Sequence, residues 1–136
     1  MALDLGAKRV GVAIAGDVAR LAKPLTTLTN DAALATELKA LIQEHDVTVL
    51  VAGLPRGMQG QATAQTASIQ EMGEELAKQL QLKVHWQDEA LTSHQAEQEL
   101  RTREVRYNKA AVDALAACLI LEDFLRNHSQ TNHGKV

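Results

Sequence analysis

The first fifteen residues, Met-Ala-Leu-Asp-Leu-Gly-Ala-Lys-Arg-Val-Gly-Val-Ala-Ile-Ala, constrain this chain more than any other stretch. A short apolar run carries Asp4 near its end, and a turn, Gly6-Ala7-Lys8, follows. Arg9 then opens a second β-rich run to Ala15. This layout predicts a hairpin whose first strand, Ala2–Leu5, delivers Asp4 to one end of a sheet. Val10, Val12 and Ile14 alternate with Gly11 and Ala13. Such a strand has one packed face and one face open to close approach. A carboxylate placed like Asp4 is either a turn former or a metal ligand.

The rest of the chain supplies strands and helices to complete the sheet. Pro24–Thr29 reads as a third strand, and Asn30 or Asp31 as the cap of a helix reaching His45. Leu34, Leu38, Leu41 and Ile42 fall on one stripe of that helix. Val47–Ala52 is a nearly continuous apolar run, as expected of a buried strand parallel to the first. Gly53–Gly60 is a Gly- and Pro-containing loop. A long helix from Thr63 to Gln81 carries Ile69, Met72, Leu76 and Leu80 inward, and Leu82–Gln87 is the next strand. Asp88-Glu89 leads into a helix at Thr92 or Ser93, where Thr92 and Gln95 have capping-box spacing. A last helix spans Ala110–Arg126. The order β-β-β-α-β-α-β-α-α predicts an α/β fold with a mixed five-stranded sheet and helices on both faces. Sites in such sheets form beyond the carboxyl ends of the parallel strands, which is where Asp4, the Gly53–Gly60 loop and Asp88-Glu89 would lie.

At 136 residues the chain fits one domain, 1–127, followed by a polar tail, 128–136. The net charge of −3 gives no global field for nucleic acid or anionic lipid, so a polyanion needs a local basic patch or bound cations. Trp86, Tyr107 and Phe124 are the whole aromatic supply, too few to stack successive bases. Cys118 is the single cysteine, so neither an internal disulfide nor a cysteine zinc cluster can form, and its apolar run predicts a buried thiol. His45, His85, His94, His128 and His133 show no paired metal spacing. The amino terminus lacks a signal-peptide pattern, and no apolar run approaches the ~20 residues of a membrane span. A cytoplasmic protein with no membrane partner is expected.

Asp113 is the most informative single residue. It is the only polar side chain in Ala110–Leu121, on one helical stripe with Ala116, Ala117 and Ile120. A carboxylate there needs a charged or donor partner: it is either a first-turn acid favoured by the helix dipole or a ligand for a divalent cation. Asp88-Glu89 is equally a helix cap or a ligand pair. Jointly the acids weigh more. Carboxylates converging within ~4 Å repel by roughly 4 kcal/mol per pair at intermediate dielectric, so they protonate or bind cations. Oxygen-only ligands suit Mg²⁺ or Mn²⁺. Two such ions can activate a water and stabilise the leaving oxygen of a phosphodiester. Lys8, Arg9 and Arg56, with Arg101, Arg103, Arg106 and Lys109, could form a phosphate-gripping rim or a solvated face.

Four stretches together resemble the YqgF/RuvX family, in the family's order over about residues 1–125. They are Asp4-Leu-Gly-Ala-Lys8-Arg9-Val-Gly11-Val-Ala13, Gly53-Leu54-Pro55-Arg56 with Gly60, Asp88-Glu89-x-Leu91-Thr92, and Val112-Asp113-x-x-Ala116-Ala117. The resemblance implies an RNase H-like fold related to RuvC-type Holliday junction resolvases. It also implies a nuclease acting on the 5′ end of the small-subunit (16S) ribosomal RNA precursor during ribosome maturation. By resemblance, Asp4, Glu89 and Asp113 are the catalytic, metal-binding acids, with Asp88 the substitute for Glu89. Lys8, Arg9 and Arg56 match the family's basic positions. Ala90 stands where the family carries an arginine, Gln59 where it carries an acid, and fewer residues than usual precede Asp4.

The expected function is thus a hydrolase of phosphodiester bonds using Mg²⁺ or Mn²⁺, with Lys8, Arg9, Arg56, Arg103, Arg106 and Lys109 contacting structured RNA (pre-16S rRNA). The protein would be a monomer or homodimer. A Holliday junction resolvase cutting branched DNA with the same residues is the second reading, one that generally requires a symmetric dimer. A non-catalytic RNA-binding ribosome-assembly module is the third, favoured by Ala90 and the acidic charge balance.

Overall fold

Side-chain alternation fixes the two faces of the sheet before any helix is placed on it. The computed structural model describes residues 1–16, 18–55, 61–89 and 109–128, with the side chains of Glu89, Lys109 and His128 outside that description. The elements are β1 (Ala2–Leu5), β2 (Arg9–Ile14), β3 (Lys23–Thr29), α1 (Leu34–Glu44), β4 (Leu50–Pro55), α2 (Ala64–Leu80), β5 (Val84–Glu89) and α3 (Lys109–His128). The strand order is β3-β2-β1-β4-β5. β1, β2 and β3 pair antiparallel, while β1–β4 and β4–β5 pair parallel. The expected mixed five-stranded sheet is therefore present. Parallel neighbours need crossovers, and α1 and α2 make them.

One face carries Leu3, Leu5, Val10, Val12, Leu50, Ala52 and Val84, which pack against Leu34 and Leu38 of α1 and Ile69, Leu76 and Leu80 of α2. The other carries Ala2, Ala13 and Val51 against Val112, Ala116, Ala117, Ile120 and Phe124 of α3. Burying one large aliphatic side chain in either layer contributes roughly 1.5–3 kcal/mol. The second face is built from small residues, so α3 lies close to the sheet. Cys118 is buried among them, as its apolar run predicts.

Several element boundaries differ from expectation, each for a local reason. α1 starts at Leu34 because Asp31 forms a turn ahead of it, its Oδ1 accepting from Ala33 N at 2.9 Å. Asn30 is not a cap; its amide reaches Gly6 instead. β4 is displaced from Val47–Ala52 to Leu50–Pro55. Val47 N closes the end of α1 on Ile42 O, and pairing continues through Gly53 and Pro55 because β5 supplies partners for both. β5 shifts likewise: Leu82 N bonds Ala77 O in the left-handed turn at Gln81 (φ 58°) that ends α2, and the strand runs on to Glu89. Asp88 and Glu89 are thus strand residues. α2 matches its expected span, with Thr63 as the cap. α3 runs on to His128 and takes in the first residue of the expected tail. The helix expected at Thr92 or Ser93 and residues 129–136 lie outside the described residues. No helix among the described residues is long and apolar enough to cross a membrane.

Candidate metal centre

Two acids from opposite ends of the chain meet over a glycine. The β1–β2 register pairs Asp4 with Gly11. Strand alternation puts Arg9, Gly11 and Ala13 on the side that α3 covers, where Ala13 is packed. α3 crosses Gly11 so closely that a Cβ there would sit 1.9 Å from the backbone oxygen of Asp113. Only glycine allows that approach, and the approach sets Asp113 against Asp4. Thr27 Oγ1 on β3 fastens the start of the helix by donating to Ala110 O at 2.6 Å.

The electrostatics follow from this placement. The Asp4 carboxyl is pushed up from 3.8 to about 7, first by removal from water and second by the negative charge of Asp113. Asp113 has a counter-charge: Arg9 Nε donates to its Oδ2 at 2.6 Å, the two side chains being 36% and 18% exposed. Lys8, the neighbouring cation, is exposed on the turn. That turn is pinned by Asn30, whose Nδ2 donates to Gly6 O at 2.8 Å and whose N donates to Lys8 O at 2.9 Å.

The third expected acid lies two strands away. β4 pairs with β5 through Leu54↔Asp88 and Pro55↔Glu89, placing Glu89 at the carboxyl end of β5. Two strand spacings are ~10 Å. Glu89 occupies the strand parity of His85 and Gln87, both of which touch α3: the His85 and Phe124 rings lie 5.8 Å apart, and Asn127 Nδ2 donates to Gln87 Oε1 at 3.4 Å. Asp88 is exposed and shares the parity of Val84 and Trp86, which pack on the α2 side. The end of β4 is held by α2, Thr66 Oγ1 donating to Pro55 O at 2.5 Å.

Of the expected site residues, the fold brings together Asp4, Asp113 and Arg9. Lys109 is the first residue of α3, and Arg56, Arg103 and Arg106 lie outside the described residues. Among the described residues no three metal-ligating side chains form a cluster. The donor chemistry nonetheless suits a hard cation: the Asp4 carboxyl is largely removed from water, lies near enough to Asp113 to feel its charge, and holds its proton to near neutral pH. Sequence reasoning missed Asn30, Thr27 and Thr66 as supports. Their partners lie on other elements, and turn or cap propensity gives no sign of them.

Comparison with known proteins identifies the family and the fold. Residues 1–127 match the family model described as RuvX, Holliday junction resolvase. The chain is 41% identical over 129 residues to a protein of Gloeothece citriformis named "Putative pre-16S rRNA nuclease", covering 92% of this chain and 85% of that protein. A protein of the same name from Thermosynechococcus vestitus is 41% identical over 135 residues, covering 96% and 89%. Among solved structures, Thermus thermophilus RuvC superposes with a TM-score of 0.53 at 11% identity, covering 93% of this chain and 94% of that one. The same protein in complex with a Holliday junction substrate also gives 0.53, at 14% identity. At such identities the likeness concerns the fold, which is RNase H-like as the motifs imply.

Proposed function

Starting from the fact that the chain belongs to the RuvX family, we propose that it is a metal-dependent endonuclease that processes the 5′ end of pre-16S ribosomal RNA. The observation that carries the chemistry is the meeting of Asp4 and Asp113 over Gly11 at the carboxyl edge of the parallel strands. Asp4, Asp113 and Glu89 are assigned as ligands of one or two Mg²⁺ or Mn²⁺ ions. The strand parity of Glu89 supports it over Asp88. Bound there, the ion supplies Lewis acidity toward an attacking water and the leaving oxygen. Asp4 must shed its proton to act as a ligand, which couples occupancy of the site to pH. Lys8, exposed on its pinned turn, offers a charge to the nucleic-acid backbone. Arg56, Arg103, Arg106 and Lys109 are assigned to the same rim by sequence.

The names of the relatives favour RNA, whereas the family description and the RuvC likeness favour a DNA junction. Purified protein incubated with Mg²⁺ or Mn²⁺ is expected to shorten an RNA carrying the pre-16S leader and to leave a four-way DNA junction intact. Asp4→Asn should reduce the rate at least a hundredfold. RNA cleavage indifferent to Asp4→Asn would defeat the assignment, and junction cleavage in place of RNA cleavage would transfer the same site to the resolvase reading.

A further inference from the structure

We propose that Arg9 is the built-in counter-ion of the acidic site: its guanidinium neutralises Asp113 until a divalent cation does so, and loading the site requires displacing it. The proposal rests on the metal-centre reading above and adds a resident competitor to it. Lys8 and Arg9 are adjacent cations that sequence alone treats alike. The strand start separates them, leaving Lys8 exposed on the turn and placing Arg9 on the α3 side of β2. There its Nε meets Asp113 Oδ2 at 2.6 Å, the length of a strong charge-assisted bond.

Asp113 needs such a partner because the helix around it is apolar. Val112, Ala116 and Ala117 are buried, and a carboxylate in those surroundings is costly without a counter-charge. A guanidinium and a divalent cation on the same carboxylate repel each other. The arginine therefore weakens ion binding while it stays in place. With about a third of its side chain exposed, its planar fork can leave Asp113 for a phosphate, which accepts two parallel N–H bonds. Nucleic acid thus draws Arg9 away, frees Asp113 and strengthens ion binding, a reciprocal coupling of the two ligands.

Mn²⁺ titrations of the full chain, followed by electron paramagnetic resonance, test this with and without a structured RNA hairpin. In its absence Arg9→Gln should bind Mn²⁺ about three- to tenfold more tightly than wild type, the sense expected on removing a nearby positive charge. The hairpin should tighten Mn²⁺ binding to wild type and not to Arg9→Gln. Arg9→Met also removes the charge; should Arg9→Gln fail to fold, an Arg9→Met protein with tighter Mn²⁺ binding and no hairpin effect carries the same conclusion. Equal or weaker Mn²⁺ binding by the charge-free variant, or a hairpin effect retained in it, overturns the counter-ion role. That outcome leaves the metal centre standing if Asp4→Asn still loses at least tenfold in Mn²⁺ affinity. No loss in Asp4→Asn, or no Mn²⁺ binding by wild type, overturns the metal centre and the counter-ion role together.

Discussion

Asp4 is where the physical chemistry of this chain is most concentrated. In the unfolded chain it ionises near 3.8, and in the fold near 7. Between those values the native state holds a proton that the unfolded state has released, so the stability contributed by this group is full below about pH 4, declines as pH rises and is gone above about 7. The ion-free protein should lose roughly 2–4 kcal/mol across that range from this group alone. Urea titrations at pH 5 and pH 8 measure the change, and Asp4→Asn, which cannot ionise, should flatten it. Addition of Mg²⁺ should shift the Asp4 carboxyl titration, followed by carbon NMR, to lower pH, because a cation favours the ionised form. A carboxyl that titrates near 4 without metal would show that water reaches it. The adjacent Arg9 shows how little residue type alone settles: its neighbour Lys8 is exposed, while Arg9 itself is bound to Asp113.

At the scale of elements, the contact between β2 and α3 decides whether the acids meet. Gly11 has no side chain to hold the helix off, and a Cβ would enter the space of the Asp113 carbonyl. Gly11→Ala should cost about 1–3 kcal/mol in urea denaturation through overpacking. It should also weaken Mn²⁺ binding by moving Asp113 away from Asp4. A variant that keeps wild-type Mn²⁺ affinity would mean that α3 can shift without disturbing the pair. The boundaries of β4 and β5 belong to the same scale. Hydropathy placed them two or three residues too early, because an apolar run marks where burial is favourable and not where a pairing partner begins. Val47 serves the end of α1 and Leu82 the end of α2. Gly53, Pro55, Asp88 and Glu89, which look like loop or cap residues, become strand because each has a partner in register. That shift carries the Asp-Glu pair onto the sheet edge.

Across the whole molecule, a single sheet is shared by two apolar layers, with Leu38 in one and Ile120 in the other. Both side chains are almost wholly buried. Leu38→Ala and Ile120→Ala should each cost roughly 2–5 kcal/mol. Because the layers have the sheet in common, each variant should unfold in one transition with an unchanged denaturant slope. Two separated transitions in either variant would show that the layers fold apart.

The chain's local patterns were enough to determine its class and most of its elements: the hairpin around Gly6, the stripes of α1 and α2, the parallel strand after α1, and the motifs that mark the family. These signals are carried by neighbours in sequence, through alternation, helical spacing and turn chemistry. Which charges touch was decided only by the tertiary structure. Arg9 and Asp113 are bonded although 104 positions apart, and Asn30 reaches Gly6 across 24. No periodicity encodes a contact between elements whose separation depends on how closely a helix can lie on a sheet. At Gly11 that closeness is set by the absence of one carbon atom.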